Sequence, residues 1–581
     1  MESSSESENE EHFVGFDIAD IPVRPDAPES DIDVSDVSSV HTSDLSDWDD
    51  RNSDSESDFE EQAPVPTDRF GWASVTTPIA ITPFGPRVIG PKTDDLGNNP
   101  NQLDFFFLLF KPAMIDSIVT QTNKYAREKI VNKPNGIDPH WREDTTAEEV
   151  KAFFGVLILM GIHNLPRDDM YWSADDRLGV PGVNKVMSLK RYQKLKEFIH
   201  LADNDHLPDP ADVNRDRLFK VRDLLDMANQ SFLEHYTPDC DISIDEAMVA
   251  FKGRSTLRMY MPIKPIKWGM KVWCAAESNT GYLLQFEVYT GRRADGTQHG
   301  LGHDVVMRLS SPFFGLHHHL YFDNFFSSVT LMTDLLAEGT YACATVRSNR
   351  VGLPVGMKQH RKLTKGQSLV FQKDNTLASV WHDKRDVNFL STNCSNEDNS
   401  VLRWDRTQQA RVAVPCPSVV KLYDQHMGGV DNSDQMRGYY NTVQKSHKYW
   451  RYLMSFVFDA CINNAYILYD QTVLDKPKTR YALLDFRLDL ADHLIGGFSS
   501  RKKLAPKRKA QIVNEANIGV HTLIKFDGRK RACITCKNLR RQTPTGRAVE
   551  SSYGCGICQL NFCRDTCFPQ HLGAVPVDEI V

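Results

Sequence analysis

The sequence predicts a multidomain α+β protein. The chain has 581 residues, which is longer than a single hydrophobic core ordinarily serves. Apolar residues recur first at a three-to-four-residue period, typical of helices, then alternate as in strands, and later return to the helical period. Six of the twelve cysteines lie between Cys533 and Cys567, which indicates a separate small module.

Charge is unevenly distributed along the chain. Residues 1–62 hold 21 acidic residues against two arginines, a net charge of −19, whereas the rest of the chain carries +10. This acidic, serine-rich and then proline-rich composition predicts disorder over the first hundred residues or so. An acidic segment joined to a basic body makes a polyanion a plausible partner.

Membrane insertion and secretion are not expected. The longest apolar run, residues 152–162, is well short of the roughly 20 residues that a membrane helix needs. The chain does not open with a positively charged, apolar leader, so we expect a reducing compartment rather than a secreted disulfide framework.

The first periodic block, from Leu103 to about Asp226, is predicted to be helical. The segment FFFLLFKPAMIDSIVTQTNKYA places apolar residues at three-to-four spacing, and aromatic stripes of this kind are expected to be core. Thr146 and Glu149 form a capping-box pattern ahead of VKAFFGVLILMGI. SLKRYQKLKEFIHLA is a third, basic amphipathic segment.

Strands are predicted next. CDISIDEAMVAF and KWGMKVWCAAES alternate, and a turn at residues 279–281 leads into LLQFEVYTG, which completes a hairpin. HHLYFDNFFSS supplies a fourth strand that runs into a helix, and ACATVRSNRVGLP a further strand. Residues 351–410 are polar and are expected to be an irregular insertion. Neighbours in a strand alternate faces, so the run His317–His319 is interpreted as structural.

Four aspartates stand at element ends. Asp245 lies on the first predicted strand and Asp323 ends the fourth, whereas Asp431 and Asp434 are three residues apart where the second helical block begins. Residues i and i+3 share a helix face, so two strands and one helix can bring these carboxylates together. Like charges so close need a cation, and hard oxygen ligands suit Mg²⁺. The alternative is that each aspartate is an ordinary cap or surface charge.

The cysteine-rich tail has the spacing of a zinc module. Two Cys-x2-Cys knuckles are a strong zinc signal, and eight ligands suffice for two tetrahedral Zn²⁺. The predicted ligands are His521, Cys533, Cys536, Cys555, Cys558, Cys563, Cys567 and His571. Interleaved ligand pairs, as in cross-brace modules, are expected, but the spacing does not say which residues share an ion.

Basic residues precede and enter this tail. Residues 501–547 contain 14 lysines and arginines against two acids, which is consistent with phosphate contact. RKKLAPKRK resembles a nuclear-import signal, and both roles can coexist. The residues assigned to that signal are Arg501, Lys502, Lys503, Lys507, Arg508 and Lys509.

The sequence contains, in this order, ISIDEAMVAFKGR, LYFDNFFSS, ATVRSNRVGLP, MGGVDNSDQMRGYY and the tail cysteines. Together these motifs resemble those of the piggyBac transposase family. TNKYA, FFGVLILMG and DDMYW in the first helical block extend the resemblance, which runs from about Phe105 to His571. It implies an RNase H-like DDE/D catalytic core inserted in a helical domain, with a C-terminal cross-brace-type zinc domain and a disordered acidic N-terminus.

The resemblance also implies site residues. Asp245, Asp323 and Asp431 match the family's catalytic triad and Asp434 its additional required aspartate, which together would hold Mg²⁺ or Mn²⁺. None of the four is replaced in this chain.

DNA contacts are implied as well. Arg347 and Arg350 match basic positions that contact target DNA, although the second is often lysine in relatives. Trp450 matches a tryptophan that could stack on unpaired DNA ends, and a buried core role is about equally expected. The tail resembles a module that binds the transposon's terminal repeats, and its Cys563-x3-Cys567 pair departs from the Cys-x2-His of some relatives.

The domain organisation expected from these arguments has eight parts. They are a disordered acidic and proline-rich region (1–98), a helical dimerisation and DNA-binding part (99–240), a first part of the catalytic core (241–346), an insertion (347–410), a second core part (411–440), a second helical part (441–497), a basic linker (498–520) and the zinc domain (521–573).

The function that the resemblance implies is metal-dependent cut-and-paste DNA transposition at TTAA sites, with double-stranded transposon ends and target DNA as partners. A homodimer is expected because two ends must be brought together, and the nucleus is expected because of the import signal. The main alternative is a domesticated, catalytically silent nuclear protein that binds DNA or chromatin. A third interpretation, a RING-type ubiquitin ligase or PHD-type histone reader, leaves the four aspartates unexplained.

Overall fold

The computed structural model describes residues 68–500 and 521–572, apart from positions 86, 134–135, 210, 213–214, 263–265, 292–295, 298 and 476–481. The described residues separate into two compact units, one before and one after the division at residues 500 and 501, here called the large unit and the tail unit. The acidic residues 1–67 and the basic residues 501–520, with the nuclear-import signal, lie outside the described residues. The domain boundaries expected inside the large unit remain predictions.

The first part of the large unit is helical, as predicted. Its helices are α1 (Gln102–Leu109), α2 (Pro112–Val131), α3 (Ala147–His163), α4 (Pro181–Val186), α5 (Leu189–Phe198) and α6 (Arg222–Glu234). Phe105 and Phe106 of α1 are fully buried, which confirms their core assignment.

Helix α3 has the predicted N-cap in altered form. The Thr146 hydroxyl accepts a hydrogen bond from the Glu149 amide, as a capping residue does. The Glu149 carboxylate does not return the bond in capping-box fashion. It accepts instead from the guanidinium of Arg191 on α5, with Nε–Oε1 at 2.8 Å. The cap therefore also ties α3 to α5.

A mixed sheet follows, with two helices between its strands. Its elements are β3 (Asp241–Ala250), β4 (Met259–Tyr260), β5 (Trp268–Glu277), β6 (Leu283–Val288), α7 (Leu301–Ser310), β7 (His319–Phe322), α8 (Val329–Ala337) and β8 (Tyr341–Thr345). Two shorter strands, β1 (Gly90–Pro91) and β2 (Tyr236–Thr237), lie outside this sheet. The central order is β6-β5-β3-β7-β8. The first three of these strands run antiparallel, whereas β7 is parallel to both β3 and β8. This is the strand order of an RNase H-like core. Short strands β1 and β2 pair separately, and β4 extends the edge beside β5.

The insertion is a β structure, so the expectation that residues 351–410 are irregular is wrong. It contains β9 (Ser368–Lys373), β10 (Thr376–His382), β11 (Asp386–Ser391), β12 (Asp398–Asp405) and β13 (Ala410–Pro417). Strand β11 pairs antiparallel with β8, so the central sheet continues through β11, β10 and β9. Strands β12 and β13 form a separate hairpin. Partly exposed strands carry many polar residues, which hid their alternation in the sequence.

Residues 68–98 are packed against the large unit, so the expectation of disorder is wrong for this part of 1–98. Trp72 is buried and its indole Nε1 donates to the Gly352 carbonyl at 2.8 Å. Asp68 accepts from the Val355 amide at 2.7 Å. These partners are nearly three hundred residues away in the sequence, so composition alone could not reveal them.

Four helices complete the large unit. They are α9 (Ser418–His426), α10 (Gly429–Tyr439), α11 (Tyr449–Thr472) and α12 (Ala482–Ile495). Helix α11 packs on α1, and α12 packs along α3. Helices that precede the sheet strands in the sequence and helices that follow them therefore form one layer. Among the described residues, no helix combines the length and apolar character needed to cross a membrane.

A buried ion pair fastens the end of this helical layer. Arg487 on α12 is fully buried and lies 3.4 Å from the carboxylate of Asp459 on α11. The same guanidinium donates to the Tyr440 carbonyl at 2.7 Å and to Asn463 Oδ1 at 2.9 Å. Asp459 also accepts from the Thr442 amide. Both terminal nitrogens of the guanidinium are therefore hydrogen-bonded, as buried charges require, whereas Arg487 Nε has no partner within the described residues.

The tail unit is small and its core consists largely of cysteines. Its elements are β14 (Leu523–Lys525), β15 (Arg531–Ala532), α13 (Ile534–Asn538), β16 (Glu550–Ser551), β17 (Tyr553–Cys555) and α14 (Cys567–Leu572). Phe562 and Phe568 are its buried aromatic side chains. Two short antiparallel pairs, β14 with β17 and β15 with β16, offer little apolar burial, so cross-linking must supply much of the stability.

Helix α10 sits against the central sheet because a glycine begins it. A Cβ at Gly429 would lie 2.6 Å from both the Glu277 carbonyl oxygen and Ser243 Oγ. The same Ser243 hydroxyl accepts a hydrogen bond from the Val430 amide at 3.0 Å. The helix start is thus fixed directly to β3 and to the end of β5.

Replacing Gly429 with alanine is expected to lower the free energy of unfolding of the large unit by about 1–3 kcal/mol, because the methyl group overlaps backbone and Ser243. All nine tryptophans lie before residue 451, so urea unfolding of the full chain followed by tryptophan fluorescence measures this effect. Gly438→Ala on the same helix is the control, since its Cβ would meet nothing within 4 Å. Equal effects of the two substitutions would contradict the proposed packing.

Candidate catalytic and metal sites

Strand register brings the first two aspartates side by side. In the parallel pair of β3 and β7, Ile244 lies opposite Phe322. Asp245 and Asp323 are the next residues on the two chains, and adjacent strands are about 4.8 Å apart. Both side chains are half-buried. The expected convergence of these two carboxylates therefore follows directly from the pairing.

Asp434 approaches the same face of the sheet from helix α10. Asp245 is directly opposite Cys274 on β5, so the two side chains share a face of the sheet. Burial, with the nearby carboxylates of Asp434 and Asp245, raises the pKa of the Cys274 thiol. Burial likewise raises the pKa of Tyr423, with contributions from Asp323 and Asp245. Asp245 therefore lies between Asp323 on one side and Asp434 on the other.

Asp434 is paired with a cation that sequence reasoning missed. Arg437, one turn further along α10, donates to Asp434 Oδ1 at 2.9 Å. The guanidinium lies over the ring of Phe456, 4.8 Å from its centroid. The three-residue spacing between Asp434 and Arg437 is a visible sequence signal for this pair. Asp434 thus has a local counter-charge, and its role as a metal ligand stays a prediction.

Asp431 lies on the first turn of α10 and is exposed. A carboxylate there also interacts favourably with the helix dipole. In the described part of the chain, the groups of metal-binding side chains whose ligand atoms all lie within 4.8 Å of one another do not include the four aspartates. Asp245, Asp323 and Asp434 lie near one another, and a cation would have to draw the oxygens of the four aspartates closer.

The two predicted DNA-binding arginines hold the loop that carries Asp323. Arg347 Nε donates to Asn324 Oδ1 at 3.0 Å, and Arg350 Nη2 donates to the Phe325 carbonyl at 2.6 Å. Asp323 itself accepts from the Phe325 amide at 2.8 Å. Burial and the neighbouring Arg347 lower the pKa of Arg350, whereas Asp323 opposes that shift. Both arginines contact the loop that carries Asp323, and direct contact with DNA stays a prediction.

Trp450 is a buried residue of the helical layer. It is only 3% exposed, and its ring meets the edge of His200 at a centroid distance of 5.5 Å. This position matches the core alternative. Stacking on a DNA base would require the indole to leave its packing, so that role stays a prediction.

The tail brings its eight predicted ligands into two groups. One group is His521, Cys555, Cys558 and His571, and the other is Cys533, Cys536, Cys563 and Cys567. In the second group, Cys536 Sγ lies 3.7 Å from Cys563 Sγ and 3.5 Å from Cys567 Sγ. In the first group, Cys558 Sγ is 3.5 Å from His571 Nε2. Tetrahedral zinc with bonds of about 2.3 Å to sulfur and about 2.0 Å to nitrogen requires ligand separations of this size.

The order of the ligands along the chain alternates between the two groups. The first Cys-x2-Cys knuckle is in one group with Cys563 and Cys567. The second knuckle, Cys555 and Cys558, is in the other group with the two flanking histidines. This is the interleaved arrangement that the sequence predicted, with the sharing of ligands now specified. Burial raises the pKa of the Cys533 thiol, but hydrogen bonds from the backbone amides of Cys536 and Cys563 outweigh this effect and lower that pKa to about 7. The lowered pKa favours the thiolate.

Comparisons with known proteins agree with this architecture. The family model for Transposase IS4 matches residues 101–466. The human PiggyBac transposable element-derived protein 3 is 26% identical over 497 residues, which cover 83% of this chain and 80% of that protein. The human PiggyBac transposable element-derived protein 2 is 29% identical over 459 residues, covering 77% and 74%.

A solved structure is similar over the same range. The cryo-EM structure of the piggyBac transposase synaptic complex with hairpin DNA aligns with a TM-score of 0.63 at 26% identity. The alignment covers 83% of this chain and all of that one.

Arg350→Met is expected to loosen the Asp323 loop, because it removes the charged donor to the Asn324 and Phe325 carbonyls. Such bonds contribute about 1.5–3 kcal/mol, so amide hydrogen exchange over residues 324–327 should accelerate about tenfold or more. Exchange mass spectrometry on the full chain measures this change. Arg385→Met, at an exposed turn, is the control, and identical exchange in both variants would contradict the clamp.

Proposed function

The chain belongs to the Transposase IS4 family, in its piggyBac type, and from this premise we propose that it is a metal-dependent DNA transposase that excises and reinserts DNA at TTAA sites. The observation that carries the proposal is the placement of Asp245 beside Asp323, with Asp434 on the helix above them. A binding module alone has no need of three carboxylates converging on one face.

The four aspartates would hold Mg²⁺ or Mn²⁺. Carboxylate oxygens are the hard donors that these ions prefer, so the residues present fit the group. Bound there, such an ion would supply positive charge that stabilises phosphoryl transfer on DNA. Arg437 fixes the orientation of Asp434, and Arg350 and Arg347 fix the loop of Asp323. The chain thereby presents its carboxylates in a set geometry before DNA arrives.

The substrate proposed is double-stranded DNA. The similar solved structure is described as a synaptic complex with hairpin DNA, which supports DNA as the partner and hairpinned ends as an intermediate. Bringing two ends together favours a homodimer, and a genomic target favours the nucleus. Arg347 and Arg350 beside Asp323 would neutralise phosphates next to the site of cleavage.

We also propose that each ligand group of the tail unit binds one Zn²⁺. Thiolate and imidazole donors at tetrahedral separations support this proposal. The unit would then contact the terminal repeats through its basic residues.

A second candidate function is a domesticated DNA-binding protein that no longer cuts. The human relatives are named as element-derived proteins, which favours this alternative. It predicts DNA binding without excision.

Asp323→Asn is expected to reduce excision in cells about 100-fold or more, because it removes a charge that holds the metal. The reporter is bounded by this gene's own genomic flanks, and sequencing checks that an intact TTAA is restored. Asp226→Asn, an exposed aspartate on α6, should excise normally. Excision by the Asp323 variant would contradict the catalytic assignment. No excision by the unaltered protein, with DNA binding retained, would favour the domesticated binder.

Cys536→Ser is expected to remove one Zn²⁺ per chain and to weaken binding to terminal-repeat DNA, because a structural site with a lost thiolate no longer folds its module. Zinc is counted by elemental mass spectrometry after gel filtration. Cys394→Ser in the large unit, outside both groups, should leave the zinc count unchanged. An unchanged count for Cys536→Ser would contradict the tail assignment.

A further inference from the structure

A third group of metal-binding side chains lies in the large unit, away from the catalytic aspartates. Cys240 Sγ, an Asp241 carboxylate oxygen and a ring nitrogen of His319 all lie within 4.8 Å of one another. Asp241 begins β3 and pairs with His319, which begins β7. Asp241 and Asp245 are four residues apart on one strand and therefore share a face of the sheet. Their Cα atoms are about 13 Å apart, so this group is separate from the catalytic aspartates. We call it the β3–β7 cluster.

His426 faces the β3–β7 cluster from a third element. It is the last residue of α9, and its Nδ1 lies 3.5 Å from Asp241 Oδ2. That nitrogen is buried and has no hydrogen-bond partner within the described residues. An unsatisfied buried polar atom is costly, and coordination of a cation would satisfy it. His319 Nδ1 lies 3.8 Å from the other oxygen of the same carboxylate.

One buried tyrosine orients two of these groups. The Tyr321 hydroxyl donates to Asp241 Oδ1 at 2.8 Å and accepts from Asn393 Nδ2 at 3.1 Å. Its ring stacks on that of His426, with centroids 5.0 Å apart and planes at 28°. Supporting hydrogen bonds of this type commonly hold metal ligands in place.

We propose that Cys240, Asp241, His319 and His426 bind a divalent transition-metal ion, and that the ion is Zn²⁺. Sulfur and nitrogen donors exclude a preference for Mg²⁺, and four ligands of this mixture suit zinc. Tetrahedral zinc with nitrogen and oxygen ligands at about 2.0 Å requires these ligand atoms to be about 3.3 Å apart. His426 Nδ1 lies 3.5 Å from Asp241 Oδ2, and His319 Nδ1 lies 3.8 Å from Asp241 Oδ1, so binding requires only small shifts of these side chains. Binding displaces the thiol proton of Cys240 to solvent.

The neighbouring histidines separate as strand alternation requires. His318 turns away and its Nδ1 contacts the Asp239 carbonyl at 3.0 Å, so its assignment as structural holds for the geometry seen. His319 alone of the run enters the β3–β7 cluster. A metal there would join β3, β7 and α9, and thereby hold together the two strands that carry Asp245 and Asp323.

Thiol protection tests the proposal in the unaltered full chain. The protein is stripped with a chelator, returned to buffer with or without Zn²⁺, and treated briefly with N-ethylmaleimide, and labelling at each cysteine is read by peptide mass spectrometry. Zn²⁺ is expected to slow labelling of Cys240 about tenfold or more, because a coordinated thiolate is a poor nucleophile. Cys536 in the tail unit reports separately on the zinc proposed there. Protection of Cys536 without protection of Cys240 would overturn the β3–β7 site alone.

Metal counting supplies the second measurement. The double variant Cys240→Ser, His319→Asn is expected to hold one Zn²⁺ fewer per chain than the unaltered protein. His317→Asn is the matched control, because His317 has a positive φ of 62° that asparagine tolerates and lies outside the cluster. An equal zinc count in the double variant and the unaltered chain would overturn the proposal.

Discussion

The parallel pairing of β3 with β7 is the constraint on which the candidate active site depends. Side chains alternate faces along a strand, so a slip of one residue would turn Asp245 and Asp323 to opposite sides of the sheet. Most devices described above act on this register. The Ser243 hydroxyl holds α10 on β3, Arg350 holds the loop after β7, and the β3–β7 cluster lies where both strands begin.

Charge balance explains how the fold tolerates several carboxylates in one place. Carboxylates that lie close together repel one another, which raises the free energy of keeping them ionised. Nearby cationic side chains lower that free energy. Arg437 is paired with Asp434, and Arg350 lies near Asp323. These arginines offset part of the repulsion, so the large unit can fold with the carboxylates in position. The divalent ion proposed for this site would offset the remaining negative charge.

Much of the local structure could be predicted from the sequence pattern, whereas pairings between distant segments could not. The strand that carries Asp245 and the tail cysteines follow from alternation and spacing, which neighbouring residues determine. The partner of Trp72 and the pairing of β11 with β8 depend on chain segments far away in sequence. The sharing of tail ligands and the approach of His426 to Asp241 likewise require three-dimensional contacts. The i,i+3 spacing of Asp434 and Arg437 can be seen in the sequence. Pairs of this type are common on helix surfaces, so the spacing alone did not indicate that this pair lies at the candidate site.

The packing of residues 68–98 protects one edge of the extended sheet. Strand β9 ends the extended sheet, and a strand at an edge offers its amides and carbonyls to any other chain. Ala73 occupies part of that edge through reciprocal backbone hydrogen bonds with Gln372. The chain thus shields its own sheet against strand addition by another molecule. Removing the acidic region as far as Trp72 and Ala73 would expose a template for aggregation, whereas removal that stops before Asp68 would leave the shield in place.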